Sequence, residues 1–398
     1  MRRAVVVIDG EHYAPVVRDA IASLPYDVVG AWVAGGTEKL RGGEDYGVPL
    51  LTELGDGFGD ADVVVDLSDE PVLGPRERFL LASRALAAGL RYEGADFHFE
   101  PPQFAPFPLP SLAVIGTGKR IGKTAVTGHV ARLLADDRDV VVVAMGRGGP
   151  AEPVLADVQP TVESLLELSR AGGHAASDYL ETAALTGVVT IGCRRAGGGL
   201  AGAVTTSNVL EGAALAAEQQ PDLVLFDGSG AAIPPVDVDA RILVSGRGHD
   251  PTAYLNAYRV LISDLVVLVG GGEVEPVKAL KDVLVVRAEL RLRPVEPLAG
   301  RRVAVFTTGA APTEHLDADV VSVSRNLADR AKLREDLAGT DADVYLVEIK
   351  AAAIDVVAET AQERGVDLVF AENEVVALPG EHDFDEAVRQ LVRTAAPV

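Results

Sequence analysis

A short glycine-rich stretch carries the residues whose types and spacing most clearly predict chemistry. An apolar run at 112–115 reads as a buried strand, and helical spacing of apolar residues follows at 125–135. In a turn between strand and helix, backbone amides bind phosphate oxygens, a lysine neutralises their charge and a threonine hydroxyl can ligate Mg²⁺. The candidate nucleotide-binding residues are Gly118, Lys119, Arg120, Gly122, Lys123 and Thr124.

Thr117 departs from the usual phosphate-binding loop, which has glycine at that position. The variant Gly-Thr-x-x-x-x-Gly-Lys-Thr of residues 116–124 resembles the loop of dethiobiotin synthetases and related ATP-dependent ligases. A strand-to-helix turn that binds nothing is the structural alternative, but the basic side chains within the turn favour an anion site.

Asp227 ends a second apolar strand, Leu223 to Asp227, and Gly228 and Gly230 follow it. A carboxylate at a strand end is the second acidic partner that a Mg²⁺·nucleotide site needs, and the glycines leave space beside it. The alternative is an ordinary Asp-Gly turn. With the upstream loop, the pattern predicts that Thr124 and Asp227 hold Mg²⁺.

Three arginines are candidates for binding phosphate groups. Arg147 follows a predicted strand at 140–144, while Arg194 and Arg195 precede three glycines. Guanidinium groups match phosphate oxygens two at a time, and a chain of this acidity must build any anion site from local basic clusters. A solvated turn is the alternative for Arg194 and Arg195. Cys193, despite these basic neighbours, is interpreted as a packing residue.

Polar side chains also follow the three predicted strands of the N-terminal region, at 4–8, 28–33 and 61–66. Parallel strands place their carboxyl ends at one edge of a sheet, where ligands commonly bind. Turn formers and helix caps would explain any one of these loops alone. Together they predict a substrate site or a covering surface, with Asp9, Glu11, His12, Lys39, Asp69 and Glu70 as candidates.

The chain of 398 residues is long enough for two or three domains, and strands alternate with helices along it. Five prolines within 101–110 indicate a linker, because proline cannot continue a helix or a central strand. We therefore expect an α/β protein in which a central P-loop NTPase-type parallel sheet domain, dethiobiotin-synthetase-like and spanning 110–298, is flanked by smaller α/β domains. These flanking domains cover residues 1–109 and 299–398. We predict turns at 307–309 and 372–374 and interpret both as structural.

The composition bounds the partners. The formal net charge is -23, so the long-range field repels nucleic acid, and the rarity of lysine (7 residues) suggests adaptation to high salt. The apolar runs are too short to span a membrane, and the N-terminal run is too short for a signal peptide. A single cysteine agrees with a reducing compartment. We expect a cytoplasmic protein.

Taken together, these motifs resemble the cyclic 2,3-diphosphoglycerate synthetase family. The residues that carry the resemblance span roughly 4–235: Ile8 to Tyr13, Gly35 to Leu40, Asp66 to Val72, Gly94 to Phe97, Ile115 to Val126, Gly146 to Pro150, His174 to Tyr179, Gly192 to Arg195 and Gly228 to Ala231. Asp227 departs from related ligases, which often have glutamate there. A shorter side chain could change how directly it meets the metal.

The resemblance implies a homodimeric, ATP- and Mg²⁺-dependent ligase acting on 2,3-diphosphoglycerate. It also implies that Lys119 and Lys123 hold the nucleotide phosphates, and that Lys123, Arg147, Arg194 and Arg195 form the catalytic group. Two alternatives stay open. One is a dethiobiotin-synthetase-like ligase, which usually lacks the N-terminal domain. The other is a P-loop ATPase switch that binds a protein partner, whose signature lysine is missing at Gly118.

Overall fold

Short β-branched runs and intervening helices build an N-terminal α/β unit in the computed structural model. The structure describes residues 1–156, 160–173, 175, 177–309, 312–350 and 353–395. The elements of this unit are β1 (Arg3–Ile8), α1 (Ala14–Ser23), β2 (Asp27–Val33), β3 (Val63–Asp66), α2 (Pro75–Ala87), β4 (Arg91–Glu93) and β5 (His98–Phe99). The strands form one sheet in the order β2-β1-β3-β4-β5, parallel except for the last pair.

The central unit begins after the proline-rich linker, and it contains the glycine loop. Its elements are β6 (Ser111–Gly116), α3 (Lys123–Ala135), β7 (Val140–Gly146), β8 (Val154–Ala156), α4 (Val162–Arg170), α5 (Asp178–Thr186), β9 (Val189–Ala196), β10 (Thr206–Ser207), α6 (Val209–Glu218), β11 (Leu223–Asp227), β12 (Ala240–Gly246), α7 (Asn256–Leu261), β13 (Leu265–Val269), α8 (Glu275–Lys278) and β14 (Leu284–Pro294).

A C-terminal unit completes the described chain. Its elements are β15 (Arg302–Phe306), β16 (Asp319–Ser324), α9 (Arg330–Ala338), β17 (Val344–Glu348), a π-helical turn (Ala353–Ala358), α10 (Glu359–Arg364), β18 (Asp367–Ala377) and α11 (Phe384–Ala395). Helix α9 begins at Arg330. The Asp329 side chain accepts a hydrogen bond from the Lys332 amide and caps the helix, so the preceding residues stay in the loop.

The strands of the central and C-terminal units belong to one sheet. Within the described residues its order is β10-β9-β7-β11-β6-β12-β13-β14-β18-β17-β15-β16, with β8 added beside β9. Strand β18 joins β14 in antiparallel pairing, so the C-terminal strands extend the central sheet. Strand β6 lies between β11 and β12, and all three are parallel. Their carboxyl ends therefore meet at one edge, where the glycine loop lies.

The alternation of side chains along each strand gives the central sheet two buried faces. Val114, Val142 and Leu225 face helices α3 and α11. Ile115, Val143 and Phe226 face the opposite side, in a core that continues into the N-terminal unit. Both faces of the strands that carry the glycine loop are thus covered, and their near-continuous apolar sequence follows from this burial.

One predicted local structure was wrong. Residues 372–374 lie inside strand β18 and are not a turn, because they pair with residues 291–293 of β14. Arg194 and Arg195 lie on strand β9, so the alternative interpretation of this segment as a solvated turn does not hold. Among the described residues, no helix is long and apolar enough to cross a membrane.

Candidate active site

The glycine loop joins the buried end of β6 to the first turn of α3. Gly122 precedes the helix with φ 87°, a left-handed conformation that favours glycine, and helix α3 starts at Lys123. Thr117, which replaces the usual glycine, is buried, and its hydroxyl oxygen lies 3.2 Å from the Ser245 hydroxyl oxygen on β12. The first amides of α3 have no intrahelical acceptors, so the loop and the helix terminus form an anion-binding backbone.

The other loop residues surround this backbone. Lys119 and Arg120 are exposed, and Arg120 also has a left-handed backbone (φ 58°). A Cβ atom placed on Gly230 would lie 3.6 Å from the Lys119 side chain and 3.7 Å from the guanidinium of Arg195. A lysine of the loop and an arginine of β9 thus lie on either side of Gly230 at the sheet edge.

Lys123 and Asp227 form a buried ion pair at the foot of the loop. Asp227 Oδ1 accepts hydrogen bonds from the Lys123 ammonium and from the Thr127 hydroxyl, the latter at 2.6 Å. Burial raises the pKa of Asp227, and the charge of Lys123 opposes that shift. The pair joins β11 to α3 and brings together two residues that were predicted to share the nucleotide site.

Asp227 Oδ2 is buried and has no hydrogen-bond partner among the described residues. A carboxylate oxygen without a partner is the donor that a Mg²⁺ ion prefers. No group of three or more His, Cys, Asp and Glu side chains in the described chain could hold a metal by itself. Mg²⁺ commonly takes one or two protein ligands and completes its shell with phosphate oxygens and water, so Asp227 and Thr124 fit this ion.

A small cleft adjoins Thr124 and contains residues that sequence analysis missed. Helix α5 contributes Glu181, and the C-terminal unit contributes Glu348, Lys350 and Asn373. Burial raises the pKa of Glu181 to about 7, and the positive charge of Lys350 opposes this shift. In the sequence, the residues that the C-terminal unit contributes to this cleft were marked only by charged residues beside strand ends. That pattern is too common to identify a site.

Arg147 lies in a second and larger cavity, of about 270 Å³, formed by the ends of β7 and β9 and the start of α5. Ser177, Asp178 at the start of α5, and Gly149 line it. The Ser177 hydroxyl is buried and has no hydrogen-bond partner among the described residues. The arginine, the hydroxyl and the helix N-terminus favour an oxyanion in this cavity, whereas the carboxylate of Asp178 opposes one.

Arg195 and Arg194 leave strand β9 on opposite faces, as successive residues of a strand do. Arg195 donates to the carbonyl oxygen of Ser229 at 2.7 Å and to that of Gly197 at 2.8 Å. Burial lowers the pKa of Arg195, and the nearby charge of Arg147 lowers it further. Gly146 pairs with Arg194 in the register of β7 and β9, so Arg147 and Arg195 lie at the same end of these neighbouring strands. The side chain of Arg194 is exposed.

Cys193 precedes the two arginines on β9. It is buried, and its sulfur packs against helix α6. Burial raises the pKa of its thiol to about 12. The thiol is therefore protonated at neutral pH, and the prediction of a packing residue is confirmed.

The N-terminal candidates gather around Asp9, which is fully buried. Its carboxylate accepts hydrogen bonds from the backbone amides of Glu11, His12 and Asp69, and its Oδ1 lies 2.7 Å from His12 Nδ1. Although burial opposes it, these hydrogen bonds lower the pKa of Asp9. Asp9 therefore holds together the loops that follow β1 and β3.

The remaining N-terminal candidates surround this junction. The second ring nitrogen of His12 lies 3.3 Å from Asp69, and Glu70 is exposed. The backbone of Lys39 ends a short 3₁₀ turn, and its side chain lies outside the described part of the chain. The structure thus joins Asp9, His12 and Asp69 in one network.

Protein-family models match this chain in three consecutive segments. The models are those of the N-terminal domain (residues 3–100), the P-loop domain (residues 111–281) and the C-terminal domain (residues 294–374) of cyclic 2,3-diphosphoglycerate synthetase. Together they cover most of the chain. The P-loop model contains the glycine loop, Asp227 and all three candidate arginines.

Full-length relatives give the same result. Cyclic 2,3-diphosphoglycerate synthetases from Rubrobacter xylanophilus and Thermococcus kodakarensis are 47% and 42% identical to this chain, with 97% or more of each chain covered. The enzyme of that name from Methanothermus fervidus is 36% identical, with 99% of this chain and 97% of the relative covered. Among solved structures, LpxK from Aquifex aeolicus in complex with ATP aligns with 74% of this chain and 90% of its own, at 15% identity and a TM-score of 0.44.

Proposed function

This chain belongs to the cyclic 2,3-diphosphoglycerate synthetase family, and from that premise we propose that it is an ATP-dependent ligase. Its reaction closes the intramolecular phosphoanhydride between the two phosphates of 2,3-diphosphoglycerate and releases ADP and phosphate. The observation that carries the proposal is the buried Lys123–Asp227 pair below the glycine loop, with Arg147 and Arg195 gathered at the same sheet edge.

The glycine loop binds ATP in this proposal. The amides at the start of α3 and the side chains of Lys119, Arg120 and Lys123 hold the nucleotide phosphates, with Gly118 and Gly122 allowing close approach of the backbone. Because Lys123 is paired with Asp227 before ATP binds, the ammonium exchanges part of this contact for phosphate oxygens.

Thr124 and Asp227 would hold Mg²⁺, since one offers a hydroxyl beside the loop and the other a buried oxygen that has no partner in the described part of the chain. When bound, the ion neutralises charge on the β- and γ-phosphates. The shorter arm of aspartate is compatible with this role because the Asp227 carboxylate already reaches Lys123 and Thr127.

Arg147, Arg195 and Arg194 would bind the phosphates of the substrate. Joining two anionic phosphates is uphill, so an oxygen of one substrate phosphate first takes the γ-phosphoryl group from ATP and ADP leaves. An oxygen of the other substrate phosphate then attacks the phosphorus of the activated ester, and the bond to the transferred phosphate breaks, which releases inorganic phosphate. This chemistry requires positioning and charge neutralisation, which arginine side chains provide.

The proposed organisation has ATP on residues 110–298, with residues 1–109 closing over the site or binding substrate and residues 299–398 as a third α/β domain. Asp9, Glu11, His12, Lys39, Asp69 and Glu70 belong to that N-terminal surface. A cytoplasmic homodimer completes the proposal, and light scattering of the purified protein would measure its mass.

Phosphorus NMR of the purified protein with ATP, Mg²⁺ and 2,3-diphosphoglycerate tests the proposed reaction, at low and at high salt. We expect a coupled pair of upfield phosphoanhydride signals that grow together with ADP and phosphate. Lys123→Ala is the control and should produce none of these signals. Loss of ATP without the coupled pair would contradict the cyclising reaction.

A further inference from the structure

The C-terminal unit is fixed against the helix that follows the glycine loop. The ring of His129 on α3 accepts a hydrogen bond from the Val375 amide at 2.9 Å, and its other nitrogen lies 2.7 Å from Asp385 on α11. Arg132, one turn further along α3, donates to Glu372 at 2.6 Å. These contacts set the position of strand β18 relative to Thr124, which lies in the first turn of the same helix.

Because the C-terminal unit packs against α3, its residues form one side of the cleft beside Thr124. Among the described residues that line it, Lys350 is the only basic residue. The carboxylates of Glu181, Glu348 and Glu372 line the same cleft. Glu372 is already paired with Arg132 and Arg293. Lys350 belongs to the C-terminal unit and lies just after the end of β17. The position of that unit places Lys350 in the cleft beside Thr124.

Among the residues that the structure describes, the contacts of Lys350 leave part of the hydrogen-bonding capacity of its ammonium group unused. Its contact with Glu348 Oε1 is long, at 3.5 Å, whereas an ammonium carries three donors. Glu348 is instead saturated by shorter bonds, from Asn373 at 2.9 Å, the Thr307 hydroxyl at 2.7 Å and the Thr308 amide at 3.0 Å. The Lys350 side chain is 35% exposed, so its ammonium can be reached from solvent, although the cleft itself, of about 20 Å³, has room for only a water molecule.

Glu181 supplies a second carboxylate near the Lys350 ammonium. Glu181 is only 8% exposed and lines the same cleft as Lys350. The attraction of Glu181 and Glu348 raises the pKa of Lys350 although burial opposes it. The cleft therefore places a lysine with one long ion-pair contact among carboxylates and beside Thr124.

We infer that Lys350 is a phosphate-binding residue contributed by the C-terminal unit, and that it contacts the γ-phosphate of the nucleotide bound at the glycine loop. The threonine of such a loop lies at the β- and γ-phosphates through Mg²⁺, so a base that shares a cleft with Thr124 is placed at the γ end. The inference rests on the proposed nucleotide site. It implies that the C-terminal unit contributes to the preference for ATP over ADP.

Binding of two nucleotides to the full chain tests this role without relying on catalysis. Lys350→Met should weaken binding of the Mg²⁺ complex of a β,γ-imido ATP analogue roughly tenfold or more, because a charge-assisted hydrogen bond is lost. Binding of Mg²⁺·ADP should change less than twofold. Calorimetric titration gives both constants, and Lys350→Arg should restore part of the preference.

Lys332→Met is the matched control, because Lys332 belongs to the same unit and is 66% exposed beside Asp329. It should leave both affinities unchanged. Equal effects of Lys350→Met on the two nucleotides, or no effect on either, would overturn the inference.

A labelling measurement on the unaltered protein covers the case in which Lys350→Met does not fold. Limited acylation, quantified by mass spectrometry, should modify Lys350 more slowly with the ATP analogue than with ADP, and Lys332 equally with both. Equal labelling of Lys350 under the two conditions would refute the contact. Neither readout requires product formation, so failure of the cyclising reaction in the NMR experiment leaves this test independent.

Discussion

At the scale of single residues, Lys123 and Thr124 have different surroundings and the same expected effect. Lys123 is buried against Asp227, whereas Thr124 faces the cleft. Lys123→Ala removes the charge that meets the phosphates, and Thr124→Ala removes a hydroxyl proposed for Mg²⁺. We expect each substitution to abolish ATP turnover, measured by phosphate release.

Lys332→Ala should retain full turnover in the same assay, since its side chain is exposed. Retention of most activity by Lys123→Ala or Thr124→Ala would show that the glycine loop is not the catalytic centre.

Glu181 should make stability depend on pH. Burial raises its pKa from 4.5 to about 7, so between these values the folded protein binds more protons than the unfolded chain. The free energy of unfolding therefore contains a contribution that is complete below pH 4.5 and lost as the pH rises through 7, by up to about 3 kcal/mol. The Glu181→Gln variant has no carboxyl group to titrate at this position. The free energy of unfolding of the variant minus that of the parent should therefore increase as the pH rises from 4.5 to 7.

Urea unfolding of both proteins from pH 4.5 to 8 measures the difference. Glu163→Gln, at an exposed position of α4, is the matched control and should show a constant difference. A Glu181→Gln difference that is equally constant would contradict the raised pKa.

At the scale of elements, the alternation along β9 separates two neighbouring arginines. Arg195 contacts Ser229 and lies near Arg147, while Arg194 leaves the other face and is exposed. Arg195→Ala should therefore reduce cyclic product formation by a larger factor than Arg194→Ala, each compared at saturating ATP. Equal losses would show that both faces of the strand contribute equally to binding substrate.

The loop after β7 depends on close packing against β9. A Cβ atom on Gly149 would lie 2.0 Å from the Cys193 carbonyl oxygen, so Gly149→Ala forces the loop that carries Arg147 away from the strand. We expect a loss of about 1–3 kcal/mol of stability and lower activity, measured by urea unfolding and by NMR.

Gly59→Ala serves as its control, because a Cβ atom there meets nothing within 4 Å. If Gly149→Ala were as stable and active as Gly59→Ala, the close contact would not determine the position of the loop.

At the scale of the whole molecule, the net charge of -23 should make stability depend on salt. Mutual repulsion of surface carboxylates favours the unfolded chain, and salt screens it, with a Debye length of about 10 Å at 0.1 M and about 3 Å at 1 M. We expect the midpoint of thermal unfolding to rise by several degrees between 0.1 and 1 M KCl.

NaCl should produce a similar rise, because screening depends on ionic strength. A midpoint that is unchanged or lower at 1 M would show that repulsion among the carboxylates does not limit stability.

Local sequence was sufficient for the parts of this protein that depend on neighbouring residues. The apolar run before Gly116, the glycines of the loop and the helical spacing after Thr124 predicted strand β6, the turn after it and helix α3. The alternation of such strands and helices along the chain also predicted the α/β class. Such features follow from backbone conformation and short-range periodicity, which are properties of a few consecutive residues.

Only the tertiary structure decided which distant residues share a cleft. The antiparallel pairing of β14 with β18 places Lys350, more than two hundred residues from Thr124 in sequence, beside the glycine loop, although residues 372–374 had suggested a turn. Likewise, the opposite directions of Arg194 and Arg195 depend on their pairing in a sheet. Long-range pairing and register arise from the packing of whole elements, and no local pattern of residue types contains that information.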